Sequence, residues 1–362
     1  MFDCNNDILD FFNEEVALKQ KQQNEMRARR ESNRNRLKDG LKKNDNPSLE
    51  THVPQGSYAM HTMVNDKDND YDIDDGAAFI KKNLVGDRGA ELSALSSRKM
   101  VRDAIDDGSF QIPPEVKTNC VRVHYKSGYH VDIPVYRILD DGSLQLASSD
   151  WIGSSPQEVT EWYNDAVIKK SPDSNNGRQM RRVTRDLKFY MKSRDGWKKK
   201  MPSGFEISVL VDECYLADVG REDVSLYETL NAVKNRLDFN LEVKHPIRSD
   251  MLTDGEDDAN TRFLREKLTE AVSQLEVLFE EDCTRLDALK AWNKVFKHTF
   301  WKERITEEEK IQKNEDKKEE TASLLRNGNA GVALAAGLIT VAGVAVAKTL
   351  KNTRAYGGKT NW

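Results

Sequence analysis

Hydrophobic and polar positions along the chain change their spacing near residue 151, and this change predicts two kinds of structure. Before it, short segments such as VRVHY from Val121 and HVDIPVY from His130 alternate apolar and polar residues, as β-strands do. After it, apolar residues recur at helical spacing in several segments separated by Gly, Pro, Asn and Asp clusters. We therefore predict an α+β protein with a sheet lobe over 51–151 and a helical bundle lobe over 152–300.

The N-terminal residues 1–50 have a helical pattern of their own. Partial apolar periodicity from Asn5 to about Lys43 predicts one long helix. Its second half, Lys21 to Lys43, contains nine basic and three acidic residues. Because no aromatic residues are interleaved, this charge run favours a solvated helix face over a patch that binds nucleic acid or another polyanion.

The C-terminal residues change character twice. Residues 301–329 predict a charged, solvent-exposed helix, and 330–362 form an apolar Ala/Gly-rich segment with a basic tail. As a helix, 330–347 would be about 27 Å long, against about 30 Å for the hydrocarbon core of a bilayer. Alanine and glycine contribute little insertion energy, so a membrane anchor and a flexible or partner-bound tail both remain open.

Composition places the chain among soluble, rather polar proteins. Apolar residues make up 38% and charged residues 32%, and the net charge of −5 argues against a general role in coating nucleic acid. The four cysteines are widely separated and form no C-x-x-C pair, which excludes a disulfide framework and a zinc ribbon. The N-terminus lacks the features of a secretory signal, so we expect a cytoplasmic protein, with a membrane tether through 330–347 left open.

The candidate chemistry begins with a Gly-Ser turn followed by a strand that carries two aspartates. Alternation along the strand places Asp72 and Asp74 on one face, where two carboxylates can bind a cation. Upstream, Gly56 and Ser57 can form a tight turn that faces an anion, as phosphate-binding loops do. Metal and phosphate sites in one stretch are typical of phosphoryl transfer.

A third carboxylate is expected at Asp132. It lies in an otherwise apolar strand, where its desolvation requires a cation or hydrogen bonds. We predict that Asp72, Asp74 and Asp132 hold two ions while an attacking hydroxyl displaces pyrophosphate from a nucleoside triphosphate. A calcium loop is disfavoured, because both possible registers of the acidic run lack the required Gly at position six and Glu at position twelve.

These motifs carry a resemblance. The turn at Gln55, the DIDDG box at Asp72 and the strand at His130 resemble those of the bacterial cGAS/DncV-like nucleotidyltransferases (CD-NTases) of CBASS antiphage systems. Two later segments share this resemblance: WIGSSPQEVTEWYND from Trp151 and RQMRRVTRDLKFYMKSRD from Arg178. The resemblance implies a polymerase-β-like nucleotidyltransferase lobe joined to a helical lobe, with the active site in the cleft between them.

The resemblance also implies the activity. It is Mg²⁺-dependent joining of two nucleoside triphosphates, through two metal ions, and ring closure to a cyclic dinucleotide that signals in antiphage defence. The default substrates are ATP and GTP, and the default product is cyclic GMP-AMP. Met60 and Ser155 stand where the family has an aromatic residue and an aspartate, which leaves the base pair of the product open.

The resemblance further implies a role for each matching residue. By position, Gln55, Gly56 and Ser57 correspond to the donor-phosphate turn, and the metal ligands correspond to Asp72, Asp74 and Asp132. Arg122 corresponds to the base-contacting arginine, Ser154 to the nucleotide-pocket serine and Lys192 to the phosphate-binding lysine.

Partners follow from the same resemblance. No clustered His and Cys residues are present, so neither zinc nor direct DNA sensing is expected. The C-terminal GGKTNW is compatible with conjugation by a ubiquitin-transfer-like partner. Two other functions stay open, namely a related nucleotidyltransferase acting on RNA or a small acceptor, and a non-catalytic scaffold tethered to the membrane.

Overall fold

The computed structural model describes residues 1–66, 72–86, 89–126 and 128–326. An eight-stranded mixed sheet and a set of helices pack around three hydrophobic clusters: a large one among the helices, one beneath the sheet, and a small one on the other sheet face. This arrangement confirms the predicted α+β class. The strands are β1 (Thr51–Gln55), β2 (Asp72–Ile80), β3 (Glu115–Val116), β4 (Val121–His124), β5 (His130–Ile133), β6 (Val135–Ile138), β7 (Leu144–Ala147) and β8 (Trp151–Ser154).

Helices precede the sheet, flank it and follow it along the chain. They are α1 (Asn5–Phe11), α2 (Gln20–Lys43), α3 (Gly56–Ala59), α4 (Ala94–Ile105), α5 (Pro156–Lys170), α6 (Gln179–Lys192), α7 (Gly204–Cys214), α8 (Glu222–Phe239), α9 (Ala259–Leu275), α10 (Arg285–Phe296) and α11 (Thr299–Arg326).

Strand β2 lies at the centre of the sheet. The strand order is β3-β4-β5-β2-β6-β7-β8, and β1 pairs antiparallel with β2. Both β5 and β6 run parallel to β2, with Asp72 beside His130 and Ala77 beside Val135, so the register is the same in both pairs. The predicted strand HVDIPVY therefore pairs with β2 along its length as β5 and β6. The two are separated at Pro134, which has no N–H to donate to the ladder.

The prediction of one long N-terminal helix is wrong. The first helix ends in a π-helical turn, Phe12–Val16, and Ala17 is extended (φ −74°, ψ 133°) before α2 begins at Gln20. The two parts belong to different cores, since Phe11 is buried among the aromatic residues of the helical lobe while Leu37 is buried beneath the sheet. One straight helix cannot bury its apolar residues in both places.

The sheet buries one face against α2 and α4. Alternate residues such as Ile73, Val121 and Val131 point into this core. The two helices approach closely at Gly40, where an added Cβ would overlap the backbone carbonyl of Ala104. A glycine is therefore required for this helix pair to cover the sheet.

The remaining predictions concern the lobe limits and the C-terminus. Strand β8 crosses the predicted boundary at 151, and the limits of the lobes stay predictions. The charged helix begins at Thr299, close to the predicted 301, whereas 330–362 lies outside the described residues. Among the residues that the structure describes, no helix has the length and apolar character needed to span a bilayer.

The close packing at Gly40 generates a stability prediction. We expect Gly40→Ala to lower the free energy of unfolding by about 1–3 kcal/mol, because the new methyl group forces α2 away from α4. Gly153→Ala is the control, since an added Cβ there meets no atom within 4 Å. Urea denaturation of both variants measures the effect. Equal stabilities would show that α2 and α4 separate without cost.

Candidate active site

The predicted acidic residues meet on the sheet face opposite the apolar core. Register places Asp72 beside His130 and Asp74 beside Asp132, so all four side chains share one face. Residues between them, such as Ile73, point into the core instead. The three carboxylates therefore lie together on adjacent strands, on the shared face that the alternation predicts.

Asp132 is held by Arg122 of the neighbouring strand. The two residues are cross-strand partners, and the guanidinium donates two hydrogen bonds to the carboxylate, Nε to Oδ1 at 2.8 Å and Nη2 to Oδ2 at 2.6 Å. The Asp132 side chain is only 8% exposed. These hydrogen bonds to Asp132 raise the pKa of Arg122 above its ordinary value. Arg122, predicted to contact a base, thus lies against a predicted metal ligand.

Burial dominates the electrostatics of the other two carboxyl groups. It raises the pKa of Asp72, and it raises that of Asp74 well above its ordinary value, where the charges of Asp72 and Asp132 add to the effect. Burial therefore disfavours the joint ionisation of Asp72 and Asp74. A divalent cation between them would reverse this balance, because it stabilises the charged forms.

The Gly-Ser turn lies directly beside Asp74. Gln55 ends β1 and pairs with Asp74, and its side-chain oxygen accepts a hydrogen bond from Tyr136 Oη at 2.6 Å. Gly56 has a φ of +65°, and an added Cβ would overlap a carboxylate oxygen of Asp74. Both conformation and space require glycine here, as the sequence analysis expected of a phosphate-binding turn.

Two adjoining cavities open above these residues. The first, of about 410 Å³, is lined by Ser154, Ser155 and Met60, together with the Gly-Ser turn and Phe205. The second, of about 500 Å³, is lined by Lys192 and by residues that precede and begin α7. Four residues line both cavities: Ser57, Asp72, Lys188 and Gly204. The candidate metal ligand and the candidate phosphate-binding serine therefore lie where the cavities meet.

Lys188 was not singled out from the sequence. It lies one helical turn before Lys192 on α6, is 8% exposed, and donates a hydrogen bond to Thr62 Oγ1 at 2.8 Å. Its pKa is lowered to about 7, mainly by burial and also by the positive charges of Lys192 and Arg185. Its spacing of four residues from the predicted Lys192 was the signal that could have found it.

One side of α6 fastens the loop that follows the Gly-Ser turn. Arg181 Nε donates to the carbonyl of Met60 at 3.1 Å, and Arg185 Nε donates to the carbonyl of Met63 at 2.9 Å. Lys192 forms an ion pair with Asp66 at 3.0 Å. The predicted phosphate-binding lysine is thus placed at the cavity wall and also anchors this loop.

A divalent ion has a suitable set of ligands in this cleft. Within the described part of the chain, one group of side chains can surround an ion: Asp72, His130 and Asp132, whose potential ligand atoms all lie within 4.8 Å of one another. His130 was not predicted. It stands two residues before Asp132, so the same alternation that placed the aspartates could have placed it on their face. The donor set fits a divalent ion, with two carboxylates and one imidazole.

Comparison with known proteins supports these geometric observations. Residues 51–136 match the family model for the nucleotidyltransferase domain of DncV-like cyclic GMP-AMP synthases. This range contains the Gly-Ser turn and the three predicted metal ligands.

Solved structures share the fold over most of the chain. Escherichia coli DncV bound to 3′-deoxy GTP superposes with a TM-score of 0.61 at 18% identity, covering 82% of this chain and 96% of the other. Vibrio cholerae DncV in complex with the linear intermediate pppA(3′,5′)pG gives 0.58 at 18% identity, covering 78% and 91%. Bradyrhizobium diazoefficiens CdnG, a CD-NTase in complex with GTP, gives 0.65 at 15% identity, covering 84% and 98%. The chain therefore contains a DncV-like nucleotidyltransferase domain within the DncV and CdnG fold, which confirms the resemblance found in its motifs.

Proposed function

We propose that this protein joins two nucleoside triphosphates, releases pyrophosphate, and closes the product into a cyclic dinucleotide. The observation that carries the proposal is the meeting of two cavities at Asp72 and Ser57. Each cavity has room for part of a nucleotide, and their junction offers a carboxylate for metal and a hydroxyl for phosphate. A donor phosphate and an acceptor hydroxyl can therefore be brought together at one point.

The chain's own groups position the reactants. Asp72, Asp74 and Asp132 would hold divalent ions, which supply a lowered pKa at the attacking hydroxyl and stabilise charge on the phosphates. The turn at Gly56 and Ser57 orients the donor triphosphate, and the Ser57 hydroxyl binds the departing pyrophosphate. Lys188 adds a positive charge where the cavities meet.

The relatives support a cyclic product. Structures of Vibrio cholerae DncV contain ATP and GTP in one case and a linear dinucleotide intermediate in another. We propose cyclic GMP-AMP as the default product here, made with Mg²⁺ and used as a second messenger in antiphage defence. Met60 and Ser155 both line the first cavity, so base choice is decided there.

The alternative of an RNA-directed enzyme has less support. It requires the basic residues of α2 to form a track for a polyanion, yet several of them are engaged within the protein. Arg34 pairs with Asp75 at 2.6 Å and Arg36 with Asp107 at 2.9 Å. These contacts fasten α2 to the sheet lobe, as expected of a structural helix. Conjugation of the C-terminus stays a prediction, because that tail lies outside the described residues.

A direct test is synthesis from the four ribonucleoside triphosphates with Mg²⁺, followed by phosphatase treatment and mass spectrometry. We expect a phosphatase-resistant cyclic dinucleotide whose mass identifies its bases. Asp72→Asn should reduce its rate at least about a thousand-fold, because one metal ligand loses its charge. Asp141→Asn, in the turn before β7, should have no effect. Products that extend an added RNA would contradict the proposal.

The Gly-Ser turn gives a second test, with a control of matched conformation. Gly56→Ala should abolish nucleotide binding, because its Cβ would overlap the Asp74 carboxylate. Gly142→Ala carries the same left-handed strain, at a φ of +83°, but an added Cβ meets no atom within 4 Å. Binding of a non-hydrolysable triphosphate, measured by calorimetry, should be lost in the first variant and retained in the second. Retention in both would show that the turn does not contact phosphate.

The lowered pKa of Lys188, about 7, predicts a pH dependence of triphosphate binding. A bound polyanion stabilises the protonated amine, so binding takes up a proton when free Lys188 is neutral. Affinity should therefore fall as pH rises from 7.5 to 9, approaching tenfold per pH unit. In this range the nucleotide's own phosphate groups have largely finished titrating.

Calorimetry in two buffers of different ionisation enthalpy measures this proton uptake. In Lys188→Met the uptake should disappear and affinity should become nearly independent of pH above 7.5. Lys170→Met, whose lysine pairs with Asp212 on α7, should behave like the wild type. An unchanged uptake in Lys188→Met would assign the proton to another group.

A further inference from the structure

His130 lies in the cleft among the carboxylates that would hold metal. Its Nε2 atom is 3.7 Å from Oδ2 of Asp72 and 3.9 Å from Oδ2 of Asp132. Both separations exceed the usual length of a hydrogen bond. Two ligands of one ion can be up to about 4.4 Å apart when metal–ligand bonds are about 2.2 Å long, so one ion can reach His130 together with either carboxylate. The potential ligand atoms of all three residues lie within 4.8 Å of one another, so a small adjustment of the side chains brings them around one ion.

The placement of His130 is fixed by the sheet and not by a flexible loop. His130 is the cross-strand partner of Asp72 and is 8% exposed. The ring of His124, its partner on the other side, lies 6.1 Å away. A ligand on a rigid strand between two other candidate ligands has little freedom to turn away from a bound ion.

An imidazole changes which ion such a site prefers. Mg²⁺ binds almost entirely to oxygen atoms, whereas the first-row transition ions accept imidazole nitrogen more readily, and Mn²⁺ is the ion of that series most similar to Mg²⁺ in its use of carboxylate ligands. We propose that His130 is a direct ligand of the ion held between Asp72 and Asp132, and that this site therefore binds Mn²⁺ more tightly than the Mg²⁺ proposed above for synthesis. The inference rests on the proposed function, because it concerns an ion of the same reaction.

The charge on Arg122 strengthens this discrimination. Both oxygens of Asp132 accept hydrogen bonds from Arg122, yet each carboxylate oxygen keeps a second lone pair for a metal ion. The positive charge of the guanidinium weakens the attraction between Asp132 and a divalent ion, and it does so equally for Mg²⁺ and for Mn²⁺. A metal–nitrogen bond from His130 adds a contribution that depends on the metal, so it accounts for more of the binding of Mn²⁺ than of Mg²⁺.

Pulsed electron paramagnetic resonance of Mn²⁺ bound to the full-length protein, without nucleotide, tests the ligand directly. The wild type should show nitrogen coupling from a coordinated imidazole. The coupling should vanish in His130→Gln and persist in His124→Gln, which removes the neighbouring histidine on the same sheet face. His130→Asn is the second variant if the Gln variant does not fold. Bound Mn²⁺ without nitrogen coupling in the wild type, or no Mn²⁺ binding, would overturn the inference.

Affinity measurements provide the matching thermodynamic test. In His130→Gln, the affinity for Mn²⁺ should fall at least about tenfold, while that for Mg²⁺ changes far less. An equal loss for both ions would show that His130 only orients the carboxylates.

The synthesis assay separates this inference from the proposed function. Cyclic product without nitrogen coupling would leave the function intact and reject the ligand. Nitrogen coupling without any nucleotide product would reject the function and leave the metal site.

Discussion

The parallel register between β2 and β5 is the constraint on which the site depends. It places Asp72 beside His130 and Asp74 beside Asp132, so the spacing of the acids is set by backbone hydrogen bonds and not by flexible side chains. A slip of one residue would turn all of them into the apolar core. The buried residues between them, such as Ile73 and Val131, oppose that slip. The core on one face thus fixes the chemistry on the other.

The second requirement is that the Gly-Ser turn keeps its place above the acids. Helix α6 supplies this by bonding the loop after the turn through Arg181, Arg185 and Lys188. In two of these hydrogen bonds the acceptor is a backbone carbonyl group, which would otherwise be buried without a partner. The helical lobe therefore holds part of the nucleotidyltransferase domain in position, which explains why residues Met60 and Val64 belong to its core.

Sequence alone was sufficient for the features set by alternation and local turn chemistry. The α+β class followed from the change in spacing, and the shared face of Asp72, Asp74 and Asp132 followed from parity. Spacing from Lys192 and Asp132 places Lys188 and His130 on the right faces, but only their burial and their distant neighbours Thr62 and Asp72 show that they matter. The unbroken N-terminal helix was wrong because helical periodicity does not reveal that its two halves join different cores.

The interrupted N-terminus has a mechanical consequence. Helix α1 is built into the helical lobe and α2 into the sheet lobe, and only Ala17–Lys19 separates the π-helical turn from α2. This short segment links the helical lobe directly to the sheet lobe. Since each residue spans at most about 3.6 Å, this segment limits how far the two lobes can be separated at this point. The N-terminal segment therefore ties the position of α2, and of the sheet that α2 covers, to the packing of α1 in the helical lobe.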